Sequence, residues 1–220
     1  NEERQLCGIK TLHHKMYTNE IAYLKFSFDV SKLGEKAAYL GLLSTVLGYV
    51  DTKNYSYSEL SNEMNIHTGG IGAAINIYNS VAGEECYTAR FEVKTKVLYE
   101  KLSKAVDLVA EIMSNTIMDD EKRLREIIAE SKSRLEMRMM SRGNAVAVRR
   151  AMAYFSESDL FEDLSGGVGY YDFIADIDKN FEERKGELKT ILQDICKCLF
   201  RPENLMFDFT GSRDAYTKFE

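Results

Sequence analysis

The chain has 220 residues and 25.1 kDa, and 29 Lys+Arg against 35 Asp+Glu leave a net charge of −6. A chain of this length can bury roughly 70% of its unfolded surface, and a composition 45% hydrophobic and 29% charged excludes wholesale disorder. The acidic balance, with no block of Lys/Arg, argues against a nucleic-acid or anionic-membrane partner, and no run of about 18 apolar residues offers a membrane-crossing helix.

Residues 9–16 read as a first, weak strand. From Ala22 the even positions Ala22, Leu24, Phe26, Phe28 and Val30 are apolar and alternate with Tyr23, Lys25, Ser27 and Asp29, which marks a strand with one buried face. Residues 33–50 switch to steps of three and four (Leu33, Ala37, Leu40, Leu43, Leu47, Val50), widened by Leu42 and Val46 into a mostly buried helix. Ser56-Tyr57-Ser58-Glu59 fits a capping box ahead of a short helix through Met64. Period two returns at Ile71, Ala73, Ile75 and Ile77, and again at Tyr87, Ala89, Phe91 and Val93; a turn at Ala82-Gly83 would join the two runs as an antiparallel hairpin.

Helical stripes follow: Leu98, Leu102, Ala105, Val109 and Ile112, then Leu124, Ile127, Ile128, Ser131, Leu135 and Met139, with Asp119 and Asp120 suited to the start of the second. Weaker helical patterns cover residues 145–155 and 170–177. A long helix through Leu188, Ile191, Leu192, Ile195 and Leu199 stops before Pro202, and Leu205, Phe207 and Phe209 alternate as a last strand. No linker or low-complexity tract interrupts the order, so residues 1–220 read as one α+β unit.

Candidate chemistry is sparse. His13 and His14 are adjacent on a strand and point to opposite faces, so they cannot chelate one ion together, and His67 stands alone. Cys196 and Cys198 diverge by about 200° on a helix and read as small apolar fillers at opposite edges of its stripe. With Cys7 and Cys86 they form no secreted disulfide framework, which favours a reducing compartment such as a bacterial cytoplasm or an organelle matrix. No Ser sits in a nucleophile elbow. Gly69-Gly70-Ile71-Gly72 opens a strand, and Gly166-Gly167-Val168-Gly169 follows none and lacks a Lys, so both read as chain reversals rather than phosphate loops. The run Arg134, Arg138, Arg142, Arg149, Arg150 reads as a solvated or domain-facing helix flank, and Met137, Met139 and Met140 as core or interface.

Three strings carry a resemblance: Tyr39-Leu-Gly-Leu-Leu-Ser-Thr-Val-Leu-Gly48, Thr52-Lys-Asn-Tyr-Ser-Tyr-Ser-Glu-Leu60, and Arg142-Gly-Asn-Ala-Val-Ala-Val-Arg-Arg-Ala151 running on to Leu164-Ser-Gly-Gly-Val168. With the element order they resemble the insulinase (pitrilysin-type) zinc metallopeptidases, in the presequence-protease branch, over nearly the whole chain. The resemblance implies an α+β unit of the processing-peptidase kind, an antiparallel sheet with helices on one face. In that family the first of several homologous units carries an H-x-x-E-H motif whose two His hold zinc and whose Glu activates water. Aligned on Gly41-Leu42, Ser44 and Gly48 stand where the His would be and Leu47 where the Glu would be; the distal ligand would fall near Ser133, where Glu126 and Glu130 have no partners.

The resemblance therefore implies the third, non-catalytic unit of a longer enzyme, holding no catalytic, cofactor-binding or metal residue itself. It would form chamber wall around short unfolded peptides and pack on other units of the same parent chain, with zinc in the parent alone. An independent scaffold subunit that pairs with a catalytic partner is the alternative. The start, Asn1-Glu2-Glu3-Arg4, has neither initiator Met nor leader and fits a piece of something longer. On this reading the Met137/Met139/Met140 segment with Arg138 and Arg142, and one face of the hairpin, are left uncovered, and the fragment is expected to self-associate.

Overall fold

Alternation in the strands builds the molecule from its sheet outward. The structure, a computed structural model, describes residues 2–80 and 87–219; Cys86 and the Ala82-Gly83 turn expected from the sequence lie outside the described residues. Six strands, β1 (Glu2–Leu6), β2 (Ile9–Lys15), β3 (Ile21–Asp29), β4 (Ile71–Asn79), β5 (Tyr87–Leu98) and β6 (Leu205–Gly211), pair in the order β1-β2-β6-β3-β5-β4. All neighbours are antiparallel except β2 and β6, which run parallel, so the sheet is mixed rather than purely antiparallel. The β3–β5 register sets Phe26 opposite Val93 and Phe28 opposite Phe91, while β6 brings Phe207 to Phe26 and Phe209 to Leu24. Those apolar residues share one face, and it is the buried one.

Helices cover that face: α1 (Ala37–Val46), α2 (Tyr57–His67), α3 (Leu102–Asn115), α4 (Glu121–Ser141), α5 (Gly143–Met152), α6 (Glu157–Gly166), α7 (Val168–Lys179), α8 (Phe181–Leu199) and α9 (Arg213–Phe219). Phe200, just past α8, sets its ring edge against Phe28 and Phe91, and α9 lays Tyr216 flat on His13 at 4.4 Å. The capping box at Ser56 is present in full, the Ser56 hydroxyl accepting from the Glu59 amide and Glu59 accepting from the Ser56 amide.

Several expectations need correction. The helix foreseen over 33–50 is a 3-10 turn (Ser31–Lys36) and then α1, which stops at Val46 because Gly48 turns the chain at φ +82°. Helix α6 was not foreseen, although Ser156 caps it by accepting from the Asp159 amide. The polar strand β1 and the short α9 have too little periodicity to be read. Cys198 is exposed rather than a filler, whereas Cys196 packs against the core and burial pushes its thiol up to about 12. The β4–β5 hairpin packs Ile71, Ala73, Ile75 and Ile77 against the core, while Gly72, Ala74 and Tyr78 on its other face are exposed.

Helix α1 lies directly on α6, and the contact depends on a missing side chain. A Cβ on Gly41 would stand 2.3 Å from the Ser165 carbonyl oxygen and 3.0 Å from the Tyr170 ring. Backbone cannot yield as a side chain tip can, so Gly41→Ala should cost about 1–3 kcal/mol and lower the urea midpoint without changing the m-value. An unchanged midpoint would mean that the two helices are not in this contact.

Candidate functional site

The three positions aligned with the missing motif do not share a helical face. Ser44 Oγ donates to the Gly41 carbonyl at 2.7 Å, Leu47 is buried in the core, and Gly48 lies beyond the end of α1. An i, i+4 ligand pair needs helix under both members, and here the second has none. Helices α1 and α4 do face each other, across a cavity of about 260 Å³ lined by Ser44, Ser131 and Arg134, while Ser133 points to solvent. Glu126 and Glu130, near the position of the distal ligand, are ion-paired with Arg123 at 3.3 Å and Arg134 at 3.8 Å.

His13 lies on the helix-covered face and His14 on the other, 3.7 Å from Asp208, while His67 ends α2 beside Glu63. Among the described residues no group of three or more His, Cys, Asp or Glu is placed to hold a metal ion. No helix among them is long and apolar enough to cross a membrane.

Two of the strings that carried the resemblance close around buried carboxylates. In the first, Asn54 donates to Glu111 of α3 twice, through its amide at 3.0 Å and its side chain at 2.9 Å, and Asn115 adds a third donor at 2.5 Å. Burial alone would raise the Glu111 pKa, but hydrogen bonds from Thr52, Asn115 and Asn54 outweigh it and bring it down to about 2. In the second, Arg150 donates to the fully buried Asp163 at 2.5 Å, and the amides of Val168 and Gly169 donate to the same carboxylate at 3.0 and 3.1 Å. The Gly166-Gly167-Val168-Gly169 loop therefore does open a helix and present amides to an anion, but the anion is the protein's own. Gly167 is needed for the approach, since a Cβ there would fall 2.5 Å from Asp163 Oδ1 and 2.8 Å from the Asp163 Cα.

The larger feature is the face of the sheet that no helix covers. Register places Ala74 opposite Glu92, Glu92 opposite Ser27, and Lys25 opposite Asp208 there. Glu92 is nearly inaccessible and accepts from Asn76 at 2.6 Å and Tyr78 at 2.7 Å, with Lys94 at 2.6 Å. Lys25 bridges the two acids, 2.6 Å from Asp208 and 3.7 Å from Glu92. Burial disfavours the Glu92 carboxylate, yet Lys94, Tyr78 and Lys25 more than compensate and hold its pKa below the ordinary range. For Lys25 burial likewise disfavours the charge, and Asp208 then Glu92 raise the pKa overall. Beside this network runs a groove of about 720 Å³ whose floor is Gly70, Gly72 and Ala74 and whose wall includes Tyr23, Lys25 and Lys94. Nothing stands within 4 Å of where a Gly72 Cβ would be, so the hollow is open. Neither the groove nor the network was read from the sequence; the alternation of Lys25, Glu92 and Asp208 on their strands was the available signal.

An α+β unit with one helix-covered and one open, charge-paired sheet face is the class that these observations define. The chain belongs to the family described as Peptidase M16C associated, which matches residues 1–177. Over all 220 residues it is 33% identical to Protein HypA of Clostridium perfringens, of which it covers 22%. It is 23% identical to Presequence protease 1, chloroplastic/mitochondrial, of Arabidopsis thaliana over 97% of this chain and 20% of that one. It is 26% identical to the mitochondrial presequence protease of Drosophila melanogaster over 94% of this chain and 19% of that one. The chain thus spans about a fifth of the length of the curated relatives it matches. A crystal structure of a conserved protein from Enterococcus faecalis V583 shares the fold, with TM-score 0.64 and 16% identity over 93% of this chain and 46% of that one.

Proposed function

We propose that this chain is a non-catalytic, chamber-forming unit of a zinc-dependent metalloendopeptidase that degrades short unfolded peptides, and that its uncovered sheet face borders the enclosed space. The observation that carries the proposal is that open face. Its two buried acids are neutralised by donors of the same face, and the groove along β4, whose exposed lining is mostly apolar, is floored by residues with little or no side chain. Such a surface suits an extended peptide of varied sequence, because it offers room and scattered polar groups rather than a shaped pocket. Zinc and the residues that hold it would belong to another unit of the parent chain, which would also supply the packing partners of this one. The alternative of a self-standing scaffold subunit has less support, since the whole chain aligns within the far longer HypA.

In the full-length parent, Ala74→Trp should fill the groove and raise KM for an unfolded peptide several-fold, with kcat for a minimal fluorogenic peptide unchanged. Equal loss on both substrates, or no loss on either, would reject a substrate-facing role for this surface.

A further inference from the structure

A second cleft lies on the opposite side of the molecule, among the helices. Two adjoining hollows, about 300 and 260 Å³, share Leu135, Arg138 and Gly166. The inner one is lined by the hydroxyl residues Ser44, Thr45, Ser131 and Tyr170 with Arg134 and Arg138. The outer one, between α4, α5 and the α6–α7 turn, combines the apolar Leu135, Met139 and Val146 with Arg142 and Arg149.

We propose that this cleft binds an acidic side chain of a polypeptide, its carboxylate entering the hydroxyl-lined hollow by Arg138 and its apolar neighbours filling the hollow beside Met139. Hydrogen bonds that are missing carry the assignment. Ser131 is 3% exposed, and its hydroxyl has no hydrogen-bond partner among the described residues. A buried donor is ordinarily satisfied. Ser44 and Thr45 spend their own hydrogens on the Gly41 and Leu42 carbonyls. Burial pushes the Tyr170 hydroxyl up to about 12, so it stays a proton donor, and the positive charge of Arg134 reaches it from across the hollow.

The acids nearby are already engaged. Glu130 pairs with Arg134, Glu162 holds Arg149 at 2.7 Å, Asp163 is taken by Arg150 and two amides, and Glu136 accepts from Tyr171. Arg138 donates only to the Gly166 carbonyl, at 3.3 Å, and Arg142 makes no ion pair among the described residues. Arg138, a guanidinium without a carboxylate that lines the same hollow as the unmet Ser131 hydroxyl, asks for an anion. The apolar side chains of the outer hollow, Leu135, Met139 and Val146, favour a polypeptide over a free oxyanion, which would leave them uncovered.

The test titrates acetyl-Leu-Glu-Leu-amide, its Leu-Gln-Leu counterpart and inorganic phosphate into the ¹⁵N-labelled chain while following the Val146, Gly166 and Gly167 amides. The Glu peptide should shift these signals saturably, and the Gln peptide should bind about tenfold more weakly. Arg138→Gln, at an exposed position tolerable to the fold, should weaken the Glu peptide by about the same factor, and added salt should weaken it further. Equal binding of the two peptides would overturn the proposal. So would matching shifts from phosphate with none from either peptide, which would make the cleft a small-oxyanion site.

Discussion

Asp163→Ala is expected to remove about 3–5 kcal/mol of folding stability, a large part of the roughly 5–15 kcal/mol that holds a domain of this size together. The carboxylate is fully buried and receives Arg150 on one side and the Val168 and Gly169 amides on the other. Alanine leaves two amides at the start of α7 without an acceptor and the Arg150 guanidinium without its partner. The one carboxylate joins α5, α6 and the start of α7, so the loss should appear as cooperative unfolding at lower urea rather than as local fraying. Arg150→Gln should cost less, because the Arg150 side chain is 39% exposed and water can replace it in part. Urea titrations of the three proteins measure the order. If Asp163→Ala stayed within about 1 kcal/mol of the parent, the carboxylate would not be the tie that the geometry describes.

How far these features could be read from the residues depended on how local they are. The β3 alternation, the Ser56 capping box and the α4 stripe with Asp120 at its start involve neighbours in sequence, and each was legible. The end of α1 was not, because Leu47 and Val50 continue the apolar spacing while Gly48 turns the backbone. Asp163 and its amides are only five and six positions apart. An acid shortly before a Gly-rich helix start is a readable cap, and that signal was available. Lys25, Glu92 and Asp208 come from three strands far apart in the chain, and only the register of the sheet brings them together. Periodicity tells which face a residue occupies but not which residue stands opposite it. The open-face network and the groove beside it were therefore beyond the sequence, as was the match of Asn54 to Glu111 across 57 positions.

That last match sets the pH range over which the fold weakens. Glu111 falls from an ordinary 4.5 to about 2 because Thr52, Asn115 and Asn54 donate to its carboxylate more strongly than burial penalises it. A folded-state pKa below the unfolded one adds stability that is present in full above about 4.5 and is lost as pH falls toward 2. The gap corresponds to about 3 kcal/mol, of which more than half should be gone by about pH 3. Other carboxylates titrate in the same window, so the informative quantity is the stability difference between the parent and Glu111→Gln. Glutamine carries one acceptor oxygen where three donors converge, and its own amide hydrogens face donors, so the variant should be weaker by about 3 kcal/mol or more near neutral pH. The difference should then shrink steadily between about pH 5 and pH 2, because the parent loses what the variant never had. Urea unfolding of both proteins across that range gives the curve directly. A difference that stays flat with pH would mean that Glu111 titrates normally and that Asn54 and its string are held by something else.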